Sequence, residues 1–367
     1  MIFKTKSFMA LFLLFSFLFI AIPVSILAAE TEDRLAQCAR IEKDAERLKC
    51  FDELAKTKNT QESAQPPNPI APVAIQETPP EPLHHSVMGR QWDLDIHPKR
   101  IEDTFFRIRT YRPMYFLPVA YNSSPNQDAA LYFDPNAKAQ YNEAKFQLSF
   151  KVKPWGTDIE GIEILKGVDI WLAYTQLAFW QVYNSAFSAP FRDTDYEPEL
   201  LINLRTDYHL LGLHGRMLNL GFNHQSNGRS VPLSRSWNRL VANVGLENEE
   251  GNFNLLLKTW YRIPEDENND DNPDITRYMG YGELWGILYW EKHRFAVMLR
   301  NNFRQDNRGA IQLDWSVPFS AFSNKLSDKC SIYLQYYNGY GESLLDYNKS
   351  MNRISIGFML ANWNWDI

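Results

Sequence analysis

The sequence predicts an all-β fold, a twelve-stranded antiparallel transmembrane β-barrel preceded by a short helical segment and a Pro-rich linker. Three observations lead there. From about Tyr111 to Ala361 the chain repeats segments of roughly 8–16 residues with alternating apolar and polar character, long enough for membrane strands. Past residue 30 no uninterrupted apolar stretch approaches the roughly 20 residues that a membrane helix requires. And 14 % of residues are aromatic, as interfacial aromatic girdles demand.

Residues 1–29 have a basic start at Lys4 and Lys6, an apolar run from Phe8 to Ile22 and a small-residue end at Ala28-Ala29. This is the pattern of a secretory signal peptide; an uncleaved anchor helix is the alternative, disfavoured by the Ala-Ala ending. Cleavage removes two lysines and makes the formal net charge of −6 more negative still. Such a chain lacks the clustered positive field of a nucleic-acid surface.

Residues 30–57 are charged, with Leu35, Cys38, Ile41 and Leu48 at roughly helical spacing, and are expected to form a small periplasmic helical segment. Cys38 and Cys50 lie close together in an exported chain, which favours a local disulfide. Residues 58–100 begin with Pro66, Pro67, Pro69, Pro72, Pro79, Pro80 and Pro82 and are expected to act as a semi-extended linker. His84 and His85, an adjacent pair in such a linker, point to no metal. Residues 101–367 form the barrel domain.

The expected strands are Tyr111–Tyr121, Ala144–Trp155, Val168–Tyr183, Pro198–Asp207, Leu210–Ser226 and Ser234–Glu247, then Asn252–Ile263, Arg277–Trp290, Arg294–Phe303, Ala310–Phe319, Lys329–Tyr340 and Asn352–Ala361. Their even number suits single-chain bacterial barrels, and closure removes edges that hydrocarbon would not tolerate. With the N-terminus periplasmic, the connections after odd strands face the exterior. Asn122–Glu143, Asn184–Glu197, Pro264–Thr276 and the loop around Gly341–Lys349 are polar and mostly long, as exterior loops should be. The opposite connections are mostly shorter, with Gly156–Gly167 the exception. Cys330 falls in a strand; a packed or lipid-facing free thiol is favoured over a nucleophile because no His stands near it in sequence.

Around Leu218–Leu246 the alternation carries chemistry. His224 and Ser226 share a strand face with Leu220 and Phe222, and Asn238 on the next strand is in phase with Leu240, Ala242, Val244 and Leu246. A serine nucleophile needs a base, and the base needs a third group to orient it. Here all three polar groups sit at the outer rim of an apolar, lipid-facing surface. Incidental polar residues near the headgroup region are the alternative.

The run Asn223-His224-Gln225-Ser226-Asn227-Gly228-Arg229-Ser230, followed by Ser234-Arg235-Ser236-Trp237-Asn238-Arg239, resembles the signature of the outer membrane phospholipase A family. Ser188-Ala189-Pro190-Phe191-Arg192, Asp270-Asp271-Asn272-Pro273-Asp274-Ile275-Thr276 and Gly339-Tyr340-Gly341-Glu342-Ser343-Leu344 resemble it in the same order. The resemblance implies Ser226 as nucleophile, His224 as base and Asn238 as orienter. It further implies hydrolysis of acyl esters of phospholipids and lysophospholipids in the bacterial outer membrane, with Ca2+ and homodimerisation required. By the same resemblance, calcium is held by the Ser234 hydroxyl, the Arg229 carbonyl and the Ser188 carbonyl of the second subunit. The Gly228 amide and calcium-bound water receive the oxyanion, and Asp271 serves a monomer-type calcium position. Val231 departs from the pattern, standing where relatives can carry an acidic residue. Gln176 shares a face with Leu172, Tyr174, Ala178 and Trp180, which makes it either a subunit contact or, with the register shifted by one, an inward amide; the resemblance implies the contact.

A passive channel is the competing reading, and a lipid-binding barrel without catalysis is a third. A channel concentrates function on its lumen, whereas this triad faces lipid.

Overall fold

The computed structural model describes residues 86–95, 105–131, 138–186, 188 and 191–360, together with Lys43, Arg47, Lys49 and Cys50. The chain divides into two units, residues 1–79 and 80–367, and the second contains the barrel. The expected signal peptide, most of the helical segment, the Pro-rich stretch through His84 and His85, and residues 361–367 lie outside the described residues. Cys38 lies there too; Cys50 is disulfide-bonded.

Proline opens the barrel wall with an interruption. Strands β1 (Ile108–Thr110) and β2 (Met114–Asn122) both pair with the same edge of β3 (Asn142–Asp158), so together they form one stave broken at Arg112-Pro113. Proline has no backbone N–H for the ladder, and the Arg112 amide turns instead to Ser149 Oγ, 3.0 Å away. The sequence placed this stave at Tyr111–Tyr121, across the break.

The remaining strands follow in chain order: β4 (Leu165–Trp180), β5 (Asp193–Leu210), β6 (Leu213–Ser226), β7 (Ser236–Glu247), β8 (Phe253–Arg262), β9 (Gly282–Trp290), β10 (His293–Asn301), β11 (Gly309–Pro318), β12 (Cys330–Tyr340) and β13 (Ser350–Leu360). Each pairs antiparallel with its sequence neighbours, and β13 returns to β2. The result is the closed twelve-stave barrel expected.

Period-2 alternation sets its two faces. On β6, Asn219 and Asn223 point inward at 0 % and 1 % exposure, while Leu220 and Phe222 stand outside at 43 % and 41 %. Phe116, Leu148, Leu172, Ile202, Leu257, Leu299 and Ile356 repeat this exposed apolar girdle around the wall. Among the described residues no helix is long and apolar enough to cross a membrane; the strands present the apolar surface. Leu246, expected to face out, is 7 % exposed.

The interior is polar and cross-braced. Lys145 pairs with Glu342, and Arg353 bridges Glu143 and Glu342, each at 2.8–2.9 Å. A cavity of about 410 Å³ remains inside, lined in part by Arg112, Glu197, Lys258, Glu283 and Arg300.

Three local readings are corrected. Residues 86–95, assigned to the linker, contain helix α1 (Val87–Trp92) packed within the barrel domain. Ser86 caps it, accepting from the Gly89 amide at 2.8 Å. Met88 and Trp92 join Tyr111, Trp171 and Met217 in one buried cluster, and Asp93 pairs with Arg109 and Lys153. Apolar residues at helical spacing outweigh the proline-rich composition just before them. Likewise, the strand expected from Arg277 begins only at Gly282, because Ile275–Met279 forms helix α3 and Gly280 turns at φ +65°. The long Gly156–Gly167 connection shrinks to residues 159–164, since β3 and β4 extend further than their patterns indicated. A third short helix, α2 (Gln127–Leu131), lies in the β2–β3 connection.

Candidate active site

Strands β6 and β7 run in register across the region of interest: His224 lies opposite Asn238, and Ser226 opposite Ser236. Directly paired residues on one face bring their side chains together, and His224 Nδ1 sits 2.8 Å from Asn238 Oδ1. With Nδ1 committed to the amide oxygen, Nε2 is the nitrogen available to the serine hydroxyl. Ser226 follows on the same face, two residues toward the strand end. All three side chains are half-buried, on the outer wall beside the exposed Phe222 and Leu240.

The face behind them locks this geometry. Arg239, next to Asn238, pairs with Glu197 at 2.9 Å and donates through Nε to Asn223 Oδ1 at 2.9 Å. Asn223 in turn donates to Glu197 Oε1 at 2.8 Å, and Arg112 clamps the other carboxylate oxygen at 2.6 Å. Trp237 Nε1 donates to Gln225 Oε1 at 2.9 Å. These inward groups fasten β5, β6 and β7 to one another. Slipping the register by one residue would turn every one of them into lipid, so the buried network holds the outer constellation in place.

The β6–β7 loop is shaped by Asn227, which is 3 % exposed. Its Oδ1 accepts from the Arg235 amide at 3.0 Å and the Arg229 amide at 3.3 Å, while Nδ2 donates to the Leu233 carbonyl at 2.9 Å. Gly228 adopts φ +62°, a left-handed conformation that side chains disfavour, with the Tyr196 ring against it. The Arg229 guanidinium donates to the carbonyls of Phe191 and Arg192, tying this loop to the β4–β5 connection. In that connection the Ser188 carbonyl accepts from Trp180 Nε1 at 2.9 Å.

Asp271 lies half-buried in the β8–β9 connection, next to Asn272, whose Oδ1 accepts from the Ser236 amide at 2.9 Å. Ser234 lies in the β6–β7 loop, half-buried. Val231 is 77 % exposed. Gln176 is half-buried in the outward phase of β4, with Tyr174 Oη donating to its Oε1 at 3.2 Å. His224 and Asn238 thus come together, with Ser226 two residues along the same face and Gly228, Arg229 and Ser234 in the adjoining loop, while Gln176 stands two strands away. Two groups escaped the sequence reading. Asn227 was visible in the motif but carried no assigned role. Glu265 Oε1, 3.2 Å from Asn238 Nδ2, had no local signal at all.

Fold and site together define a membrane-type β-barrel that carries a serine beside a histidine–amide pair on its apolar outer wall. The chain belongs to the Phospholipase A1 family, whose family model matches residues 88–360. It is 39 % identical over 258 residues to a phospholipase A1 of Klebsiella pneumoniae, covering 70 % of this chain and 84 % of that protein. Against phospholipase A1 of Escherichia coli K12 the identity is 38 %, covering 70 % and 83 % of the two chains. The structure of outer membrane phospholipase A from Escherichia coli superposes with a TM-score of 0.61 at 36 % identity, covering 70 % of this chain and 99 % of the other. A Salmonella typhi outer membrane phospholipase, solved as a dimer with bound calcium, gives the same TM-score and identity over 69 % of this chain and 91 % of that one.

Proposed function

We propose that the protein is a calcium-dependent outer-membrane phospholipase that hydrolyses acyl ester bonds of phospholipids and lysophospholipids, at both sn-1 and sn-2, and acts as a homodimer. The observation that carries this reading is the His224–Asn238 contact beside Ser226, on a wall that faces acyl chains.

In this scheme Ser226 Oγ attacks the ester carbonyl and passes its proton to His224 Nε2. Asn238 holds the imidazole in the tautomer with Nδ1–H, so that Nε2 can accept. The tetrahedral oxyanion accepts a hydrogen bond from the Gly228 amide, which the left-handed turn presents beyond the end of β6. His224 then returns the proton to the departing alcohol, and water repeats the sequence on the acyl-serine. An amide orienter brings no second charge to an apolar boundary, where an ion costs most.

The oxygens at the site fit a hard cation. Calcium takes carbonyl and hydroxyl oxygens and water, and among the described residues no cluster of three acidic or histidine side chains offers an alternative cage. The Arg229 carbonyl and Ser234 hydroxyl of one subunit, with the Ser188 carbonyl of another, would hold it, and Asp271 would serve a single-subunit position. When bound, calcium supplies positive charge beside the developing oxyanion. So sparse a set within one chain supports the need for a partner. Gln176, an amide on the lipid-facing phase, gains by meeting its counterpart across that interface. We place the site at the extracellular rim and the N-terminal segment in the periplasm.

Fatty-acid release from mixed phospholipid–detergent micelles, by refolded protein in calcium and in excess chelator, tests the substrate class and the metal together. Release with calcium and none with chelator is expected. No release from folded, dimeric protein in calcium would refute the reading.

A further inference from the structure

The proposed triad has a fourth member. We propose that Glu265 is a positioning residue that fixes the Asn238 amide with its oxygen toward His224; this rests on the triad reading above.

An asparagine amide has one accepting and one donating end, and the two are nearly the same shape. Only one of its two orientations serves His224. With Oδ1 toward the ring, the imidazole keeps its proton on Nδ1 and can accept at Nε2. With the NH2 group there, Nδ1 must accept, the proton moves to Nε2, and the ring can take nothing from Ser226. Something must therefore select the orientation, and a carboxylate can do so because it only accepts. Asn238 Nδ2 donates to Glu265 Oε1 at 3.2 Å while Oδ1 lies 2.8 Å from His224 Nδ1. Reversing the amide would set its oxygen against the carboxylate and its NH2 group against Nδ1–H, losing both bonds at once.

The loop is built to hold Glu265 there. The β7–β8 ladder runs one pair past β8, with the Ile263 amide donating to the Asn238 carbonyl at 2.8 Å. Pro264 follows and ends the ladder, leaving Glu265 in the same phase as Tyr261 and Ile263, on Asn238's side of the wall. Further along, Arg262 pairs with Asp270 at 2.6 Å and donates to the Pro273 carbonyl at 3.1 Å, while Asn272 accepts from the Ser236 amide. The loop is thus tied back to β8, from which it leaves, and to β7, which carries Asn238. Glu265 itself is half-buried, where a bond to a charged acceptor retains more of its strength than in open water.

The test uses the full-length protein refolded in detergent and assayed on mixed phospholipid micelles with calcium. Glu265→Ala is expected to lower kcat about tenfold, some 1.4 kcal/mol of barrier, with KM unchanged. Glu265→Gln keeps an acceptor oxygen and is expected to recover most of the rate. In an Asn238→Ala background, removing Glu265 is expected to cost nothing further, because its effect passes through the amide. Wild-type kcat in Glu265→Ala, no recovery in Glu265→Gln, or an equal loss in the Asn238→Ala background would each overturn the role. Ser226→Ala, run alongside, separates the two levels: activity surviving that change would remove the triad itself rather than its fourth member.

Discussion

Arg239 and Glu197 form a 2.9 Å ion pair inside the barrel, one residue along β7 from the Asn238 that faces the membrane. The same strand thus anchors through one face and presents chemistry on the other. Glu197 has further partners in Arg112 and Asn223, so removing Arg239 leaves a buried carboxylate with fewer donors and Asn223 with a lost one.

Arg239→Leu is therefore expected to destabilise the barrel by about 3–5 kcal/mol, the usual cost of breaking a buried pair from one side. Urea unfolding of the refolded protein in detergent measures it. Activity should fall as well, through loosening of β6 against β7. A variant as stable as wild type would show that the network does not set the register.

Gly228→Ala isolates the turn from the wall. An alanine at φ +62° carries roughly 1–2 kcal/mol of backbone strain, and its Cβ would meet Tyr196 Cε2 at 3.2 Å. The turn should relax and shift the amide proposed to receive the oxyanion. The expected result is a kcat loss of about 10²–10³-fold, as for a lost oxyanion donor, with little change in KM. An unchanged kcat would move the oxyanion site elsewhere.

At the barrel mouth, burial alone would raise the Glu342 carboxyl, but Arg353 and Lys145 beside it outweigh burial and hold it below the usual carboxylate range. A depressed folded value means that its contribution to stability is fully present above the unfolded value of about 4.3, and is lost as pH falls through the folded one. Unfolding temperature followed against pH should drop on acidification below about 4 in wild type. Glu342→Gln should start lower at neutral pH and fall less steeply. Parallel curves would contradict the assignment.

Much of this was legible in the alternation. On β6 and β7 alone, one apolar and one polar face would also suit a soluble sheet; it is the repetition of such segments along the chain that indicates a membrane barrel and so sets His224, Ser226 and Asn238, in phase with Leu220, Phe222 and Leu240, on the lipid side. The misses have local causes. Helix α1 hides behind a run of prolines, and α3 carries Tyr278 and Met279, which extend the apolar pattern of β9. Glu265 could not be found this way, because it lies 27 residues from Asn238 in the chain and meets it only through the β7–β8 register.

The central claim is that Ser226 is the nucleophile, and fatty-acid release by Ser226→Ala in the presence of calcium tests it most directly. Loss of the hydroxyl removes no inward contact, so the variant should fold as wild type does while its release falls to the uncatalysed background. Release at a substantial fraction of the wild-type rate would contradict the account, since no other group on this wall is assigned to attack the ester.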